Sequence, residues 1–358
     1  MKVISKYISK EIIRIFLICQ FIFILLFLVI DFIQKLDSFI EAQVPFSLTL
    51  TYFLYKIPFI VEQMIPVATM ISIIVAVCLM KKNMEVMAMR ACGLDILKVF
   101  MPVIFIAFIL SLFSFFLSEA IMPYSNSRQN EIWEVEVKKQ TPAGFFGGTQ
   151  IWYKSKNNIY WIKHFDAKTN TMDEPTFYLF DDQFHLTKKI NGETCKWENG
   201  IWEIENARVE TLEKDDTYSI KKVDRILFNI PETPDTFIRN MQKPEDMSYT
   251  QLKKHAEKIR AEGYDNTADL VNLNRKIAFP FISVVLAILA IPIGLWDKSH
   301  GIPLSITIGI GTCFLLWVAM GFSDALGLAG ILPPLLSAWA ANILFALLGT
   351  NLLMLIKR

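Results

Sequence analysis

Four features of this sequence stand where their chemistry is conspicuous. Glu62 lies inside a long apolar run, where a carboxylate is costly unless it faces protein or water. It is placed to serve a substrate or a gate, or to pair with Lys56 almost two turns earlier. Arg275 and Lys276 stand just before another apolar run, and Lys35 just after the first. Cations at such positions can hold phosphates by charge-assisted bonds, or simply anchor the chain at anionic head groups. The fourth feature is the short polar stretch from Lys81 to Asp95, which carries Asn83, Met84, Glu85, Met87, Met89, Arg90 and Gly93.

None of these is a catalytic set. His164, His185, His255 and His300 lack metal-ligand spacing, so no metal is expected. A phosphate-binding loop of the form G-x-x-x-x-G-K is missing; Gly144 to Gly148 lacks both the lysine and a preceding strand. H-E-x-x-H and G-x-S-x-G are absent too. Of Cys19, Cys78, Cys92, Cys195 and Cys313, only Cys195 falls in the polar middle of the chain, where it has no disulfide partner. The net charge of +1 points to no nucleic acid. The chain is expected to be no enzyme and to carry no cofactor, with any ATP bound elsewhere.

The elements that must position these residues are read from hydropathy. The 358 residues are 53% hydrophobic, with 28 phenylalanines and a mean hydropathy of +0.38. Runs of about 18 or more apolar residues read as membrane helices. They fall near 12–30, 51–80, 99–120, 277–296, 302–322 and 335–356. Six spans put both termini on one side, and the Lys/Arg bias names that side. Lys2, Lys6, Lys10, Arg14, Lys81, Lys82, Arg90, Lys98, Lys298, Lys357 and Arg358 share it, while the opposite short loops offer Lys35 alone. Both termini are therefore expected in the cytoplasm, and residues 121–270 on the far side, which is the periplasm in a bacterium. The amino-terminal arm puts Val3, Ile4, Tyr7, Ile8 and Ile12 on one face and lysines on another. An interfacial helix or plain positive-inside anchoring explains it equally.

Between Glu131 and Ile230 the period changes to two. Ile159 and Trp161 alternate with Tyr160 and Ile162, and Asn199 with Gly200 marks a tight hairpin. Asn191 with Gly192 reads as a further turn. Recurring short strands suggest a sandwich, barrel or jellyroll. Its apolar residues, among them Ile159, Trp161, Phe177, Leu179, Phe184 and Trp202, form either an ordinary core or an open groove for lipid chains. Ser248 and Gln251 then fit a capping box, with Leu252, Ala256 and Ile259 on one helical face and Gly263 as the stop. The domains are read as 1–120, 121–247 and 248–358.

In the stretch after Lys81, Asn83 is a good N-cap, Glu85 sits in the first turn, and Gly93 ends a helix of about 83–93. Asp95 can cap the third span. The exposed methionines and a Glu85/Arg90 pair suit contact with a partner protein.

Asn83, Glu85, Arg90, Ala91 and Gly93 resemble the coupling helix of the LptF/LptG lipopolysaccharide-export permeases. The resemblance extends along the chain. It takes in Pro58 and Pro66, Glu119 to Pro123, Met247 to Leu252, Gly263, Arg275 to Pro280, and Pro333 to Trp339. Asp95 departs from it, since the family often has Ser there, and both residues cap. The resemblance implies a six-helix inner-membrane permease subunit with a periplasmic β-jellyroll between spans three and four. It also implies a second permease subunit, an LptB-type ATPase dimer contacted through Glu85 and Arg90, and the jellyroll proteins LptC and LptA. The substrate would be lipopolysaccharide. The run Ile151 to Lys154 followed by Ile159 to Ile162 is more similar to the LptG branch than to LptF. Two other classes fit less well. A sensor or receptor with a periplasmic β-domain lacks a cytoplasmic output domain. A self-contained secondary transporter would show inverted repeats and paired intramembrane charges, and Glu62 has no counterpart in spans four to six.

Overall fold

A computed structural model describes residues 2–139, 149–154, 158–166, 169–181, 184–198, 200–212, 218–228, 230, 232–234, 246–261, 265–296 and 301–357. Gly144 to Gly148, Asn199, Gly263, Lys298 and Arg358 lie outside them. Among the described residues, six helices are long and apolar enough to cross a membrane. In chain order they include α1 (Lys2–Glu41), α2 (Phe46–Lys82) and α4 (Ile96–Phe116), with the short α3 (Glu85–Ala91) between the last two. A π turn (Leu117–Ile121), α5 (Met122–Glu131) and a second π turn (Ile132–Val137) prolong α4. After the strands come α6 (Tyr249–Ala261), α7 (Thr267–Leu295), α8 (Ile302–Leu328) and α9 (Pro334–Lys357).

The helices overrun the expected spans. No Gly or Pro interrupts α1 before Pro45, so it runs through 40 residues, about 60 Å against a hydrocarbon core of about 30 Å. The amino-terminal arm is therefore no separate interfacial helix. Ile8 and Ile12 are buried in the helical core, and Lys35 is a helical residue rather than a loop residue. The third span likewise continues to Val137, so the helical part ends well past residue 121. Its first π turn lies just before Pro123. A proline there clashes with the carbonyl four residues back, and widening the turn relieves the clash. α2 and α7 form the centre of the bundle, while α1 and α8 are mostly exposed along their lengths. Gly294 lets α7 lie against α2: a Cβ there would stand 2.8 Å from Val77 Cβ.

The insertion is one antiparallel sheet of β1 (Thr149–Lys154), β2 (Asn158–Asp166), β3 (Thr171–Phe180), β4 (Leu186–Asn191), β5 (Thr194–Glu198), β6 (Ile201–Leu212) and β7 (Tyr218–Phe228). β4 and β5 each lie between β3 and β6 and keep one register with both. They are one interrupted strand, so Asn191 and Gly192 mark no turn. Gly192 answers to packing, because a Cβ there would stand 2.4 Å from Ile204 Cγ2. The expected hairpin is present: Glu198 pairs with Ile201 across two residues, and Gly200 has φ of +85°.

One line of residues bends the sheet. Lys163, Glu174, Glu193 and Asn206 fall in register across β2, β3, the β4/β5 break and β6. Glu174 and Asn206 have positive φ. Along each strand the buried positions change parity at this line: Tyr160 and Ile162 then Phe165, Met172 then Pro175 and Phe177, Trp202 and Ile204 then Ala207 and Val209. The bend lets the two halves of one sheet close over a single core.

Candidate functional site

Arg275 and Lys276, in the third turn of α7, share a cavity of about 560 Å³ with Glu62 of α2. Its walls also hold the polar residues Gln63, Ser118, Asn126, Gln129, Asn130, Asp246 and Asn272, with Phe59, Met122 and Phe279 between them. Glu62 is only 5% exposed. It hydrogen-bonds Ser118 and lies in the field of Lys276 and Arg275. Arg275 Nη1 is 3.5 Å from Asp324 Oδ2, yet half of its side chain stays accessible. Three residues singled out separately in the sequence are thus brought into one site. Arg275 and Lys276, set among Glu62, Asp246 and several carboxamides, can bind a group that is anionic and rich in hydroxyls.

Lys56 also lines the cavity, but it does not pair with Glu62. Its Nζ is 2.6 Å from Asp31 Oδ1, because the two side chains meet across α1 and α2. Asp31 serves Lys35 as well, at 3.6 Å. Lys35 donates to the Tyr52 hydroxyl, and its Nζ stands 4.8 Å from the ring centroids of Tyr52 and Trp133. Lys35 is therefore tied into a ring of protein groups beside the cavity rather than extended towards a head group. The sequence reading missed Asp31, Asn126, Asn130 and Asp246. An aspartate at the end of an apolar run and two asparagines four residues apart were the available signals.

At the other end of α2, the chain turns sharply into α3. Asn83 is not the N-cap of α3 but the C-cap of α2; Met84, with φ of 62°, takes the N-cap position. The two caps are adjacent residues, so the turn needs a left-handed conformation at Met84. Asn83 Nδ2 donates to Glu85 Oε1 at 3.3 Å, and the Tyr7 hydroxyl donates to the same oxygen at 3.2 Å. Glu85 and Arg90 are five apart and no ion pair joins them among the described residues; the partners of Glu85 are on α1 and at Asn83. The carboxyl end is a Schellman motif: Gly93 N–H donates to Arg90 O and Leu94 N–H to Met89 O. Gly93 has φ of +74°, and both Met89 and Leu94 pack against the helical core. Asp95 takes the N-cap position of α4, its carbonyl accepting from Val99 N–H. Met84, Met87 and Arg90 remain exposed. Beneath them lies an apolar pocket of about 570 Å³, closed by Pro292, Trp296 and Leu352.

The sheet residues do not line one open groove. Phe177 and Trp202 have no exposed surface, and Leu179 packs against the same core. Trp202 Nε1 donates to Glu232 O at 2.8 Å, which fixes the ring inside. Ile159 and Trp161 are half-buried on alternate positions, and Phe184 is exposed and stacked on Phe180. Alternation along β2 reverses beyond Ile162, because the bend re-aims its side chains. Cys195 is buried in this core, which pushes its thiol pKa up.

The arrangement of six spans, a fixed turn between spans two and three and a strand-rich insertion between spans three and four is matched in sequence by one family. The description of that family is lipopolysaccharide export system permease LptF/LptG, and the match covers residues 6–358. The chain belongs to the LptF/LptG family. No curated protein sequence gave a match. Membership makes the chain a multi-pass permease of lipopolysaccharide transport.

Proposed function

We propose that the chain is one of two permease subunits of an ABC transporter, nearer to LptG than to LptF. In this reading it extracts lipopolysaccharide from the inner membrane and passes it to a periplasmic jellyroll bridge that includes LptC and LptA. Both termini and α3 lie in the cytoplasm, and the sheet lies in the periplasm. ATP is hydrolysed by a separate LptB-type dimer that bears on α3 through Glu85, Met89, Arg90 and the turn at Asn83 and Gly93. Arg275 and Lys276 meet the lipid's phosphates at the cavity, with Lys35 available once its ring of partners opens. Ile159, Trp161, Phe177, Leu179, Phe184 and Trp202 become the lipid path only if the sheet's core opens.

The observation that carries this reading is α3. A helix of seven residues is too short to be stable alone, yet this one is held at both ends and presents two methionines and an arginine outward. Such a surface is built to receive a partner. A tagged chain, purified from native membranes in mild detergent, is expected to bring with it an ATPase and a second six-span subunit in fixed ratio. Recovery of the chain alone, under conditions that keep other transporters intact, would remove the partner from this reading.

A further inference from the structure

The segment that returns from the sheet to the bundle is tied to the third span at two places. Asp246 accepts from Asn126 Nδ2 and Asn130 Nδ2 at 3.1 Å each. Further on, Tyr249 N–H donates to Glu119 Oε2 at 2.6 Å and Thr250 N–H to Glu119 Oε1 at 3.4 Å. The Thr250 hydroxyl donates to Glu119 as well. The capping box is complete without Glu119: Ser248 N–H donates to Gln251 Oε1 at 2.9 Å, and Gln251 N–H to Ser248 Oγ at 3.2 Å. Glu119 therefore satisfies the two amides that the box leaves over. What it adds is a place for the helix: the amino end of α6 is held on the third span, while its carboxyl half meets the start of α7 through Asn266 Nδ2, which donates to Ala256 O at 3.1 Å.

Glu119 belongs to the π turn Leu117–Ile121, and its neighbour Ser118 is the hydrogen-bond partner of Glu62. One turn thus meets the buried acid of α2 on one side and the amino end of α6 on the other. Asn126 and Asn130, which hold Asp246, line the same cavity as Glu62. Both ties between the third span and α6 run through residues in or beside the cavity wall. π turns are wide, weakly bonded and recurrent at functional positions.

We propose that Glu119 is a positioning residue for transport, docking α6 on the third span so that a change at the cavity moves the strand-bearing insertion. The proposal rests on the reading of the chain as a lipid-export permease. Its test uses the full transporter in nanodiscs loaded with lipopolysaccharide, with Glu119→Gln, Glu119→Asp and Thr250→Val. Hydrogen exchange of the amides of residues 249–252, ATP turnover and lipid released per ATP are read together. Glu119→Gln is expected to speed exchange at Tyr249 and Thr250 by about tenfold. It should also cut lipid released per ATP by about fivefold or more, with ATP turnover retained. Glu119→Asp should recover part of both, and Thr250→Val, which removes the hydroxyl contacts to Glu119 and Ser248 but keeps the amide bonds, should fall between. The two milder variants carry the test if the glutamine variant does not assemble. Faster exchange with unchanged release per ATP would reduce Glu119 to a helix cap and overturn the proposal. Unchanged exchange would overturn the docking itself. If the unaltered transporter releases no lipopolysaccharide, the export reading fails, and the exchange arm still decides whether Glu119 docks α6.

Discussion

Asp31 has one carboxylate to offer two lysines. Oδ1 serves Lys56 at 2.6 Å and Lys35 at 3.6 Å, while Oδ2 is buried without a hydrogen bond among the described residues. Removing one member of a buried pair strands the other charge, at a cost of roughly 3–5 kcal/mol. Asp31→Ala is accordingly expected to lower the thermal midpoint markedly, and Asp31→Ala with Lys56→Met to restore most of it. A double-mutant cycle on thermal unfolding in detergent measures this, and additive losses would mean that the two side chains do not interact. In the sheet, Gly192→Ala drives a methyl into the fully buried Ile204. Overpacking of this kind costs about 1–3 kcal/mol, so the sheet should melt earlier while the helices do not.

Short elements here depend on their ends. Gly93 closes the Schellman motif at φ of +74°, and a Cβ there meets nothing within 4 Å. The penalty for Gly93→Ala is therefore conformational alone, about 1–2 kcal/mol, and it falls on α3. Lipid released per ATP should drop while the thermal midpoint of the whole protein hardly moves; a fall in both would point to a wider structural role. The β5–β6 pair contributes a pH effect. The Thr194 hydroxyl, at 2.9 Å, and then Lys196, at 3.4 Å, hold Glu205 below its ordinary value of 4.5. A carboxylate depressed in the folded state contributes stability that is present above its unfolded value and is lost as pH falls through its folded one. Thr194→Val should make the sheet less sensitive to acid below about pH 4.5, as followed by tryptophan fluorescence.

At the scale of the molecule, the helical core and the sheet core share no buried residue among the described residues. Each can lose its packing while the other keeps it. Thermal unfolding should proceed in two steps, with the fluorescence of Trp202 and Trp197 changing apart from the helical circular dichroism. A single coincident transition would show that the ties at Glu119 and Asp246 make one cooperative unit of both.

Hydropathy alone marks six spans and a polar insertion, because burying backbone in lipid leaves the chain only helices of sufficient length. The Schellman glycine, the Ser248/Gln251 box and the hairpin at Gly200 are legible for a similar reason: each is decided by a few neighbouring residues. Partnership across the chain is not local. Lys56 meets Asp31 rather than Glu62 because α1 packs there, and Arg275, Lys276 and Glu62 share a cavity because α7 lies against α2. The face of Phe177 and Trp202 was open to two readings, since alternation cannot report a bend that reverses parity in several strands at one line. Sequence determined which elements form; tertiary structure decided how far the helices run and which charges meet, since those distances are set by packing between segments far apart in the chain.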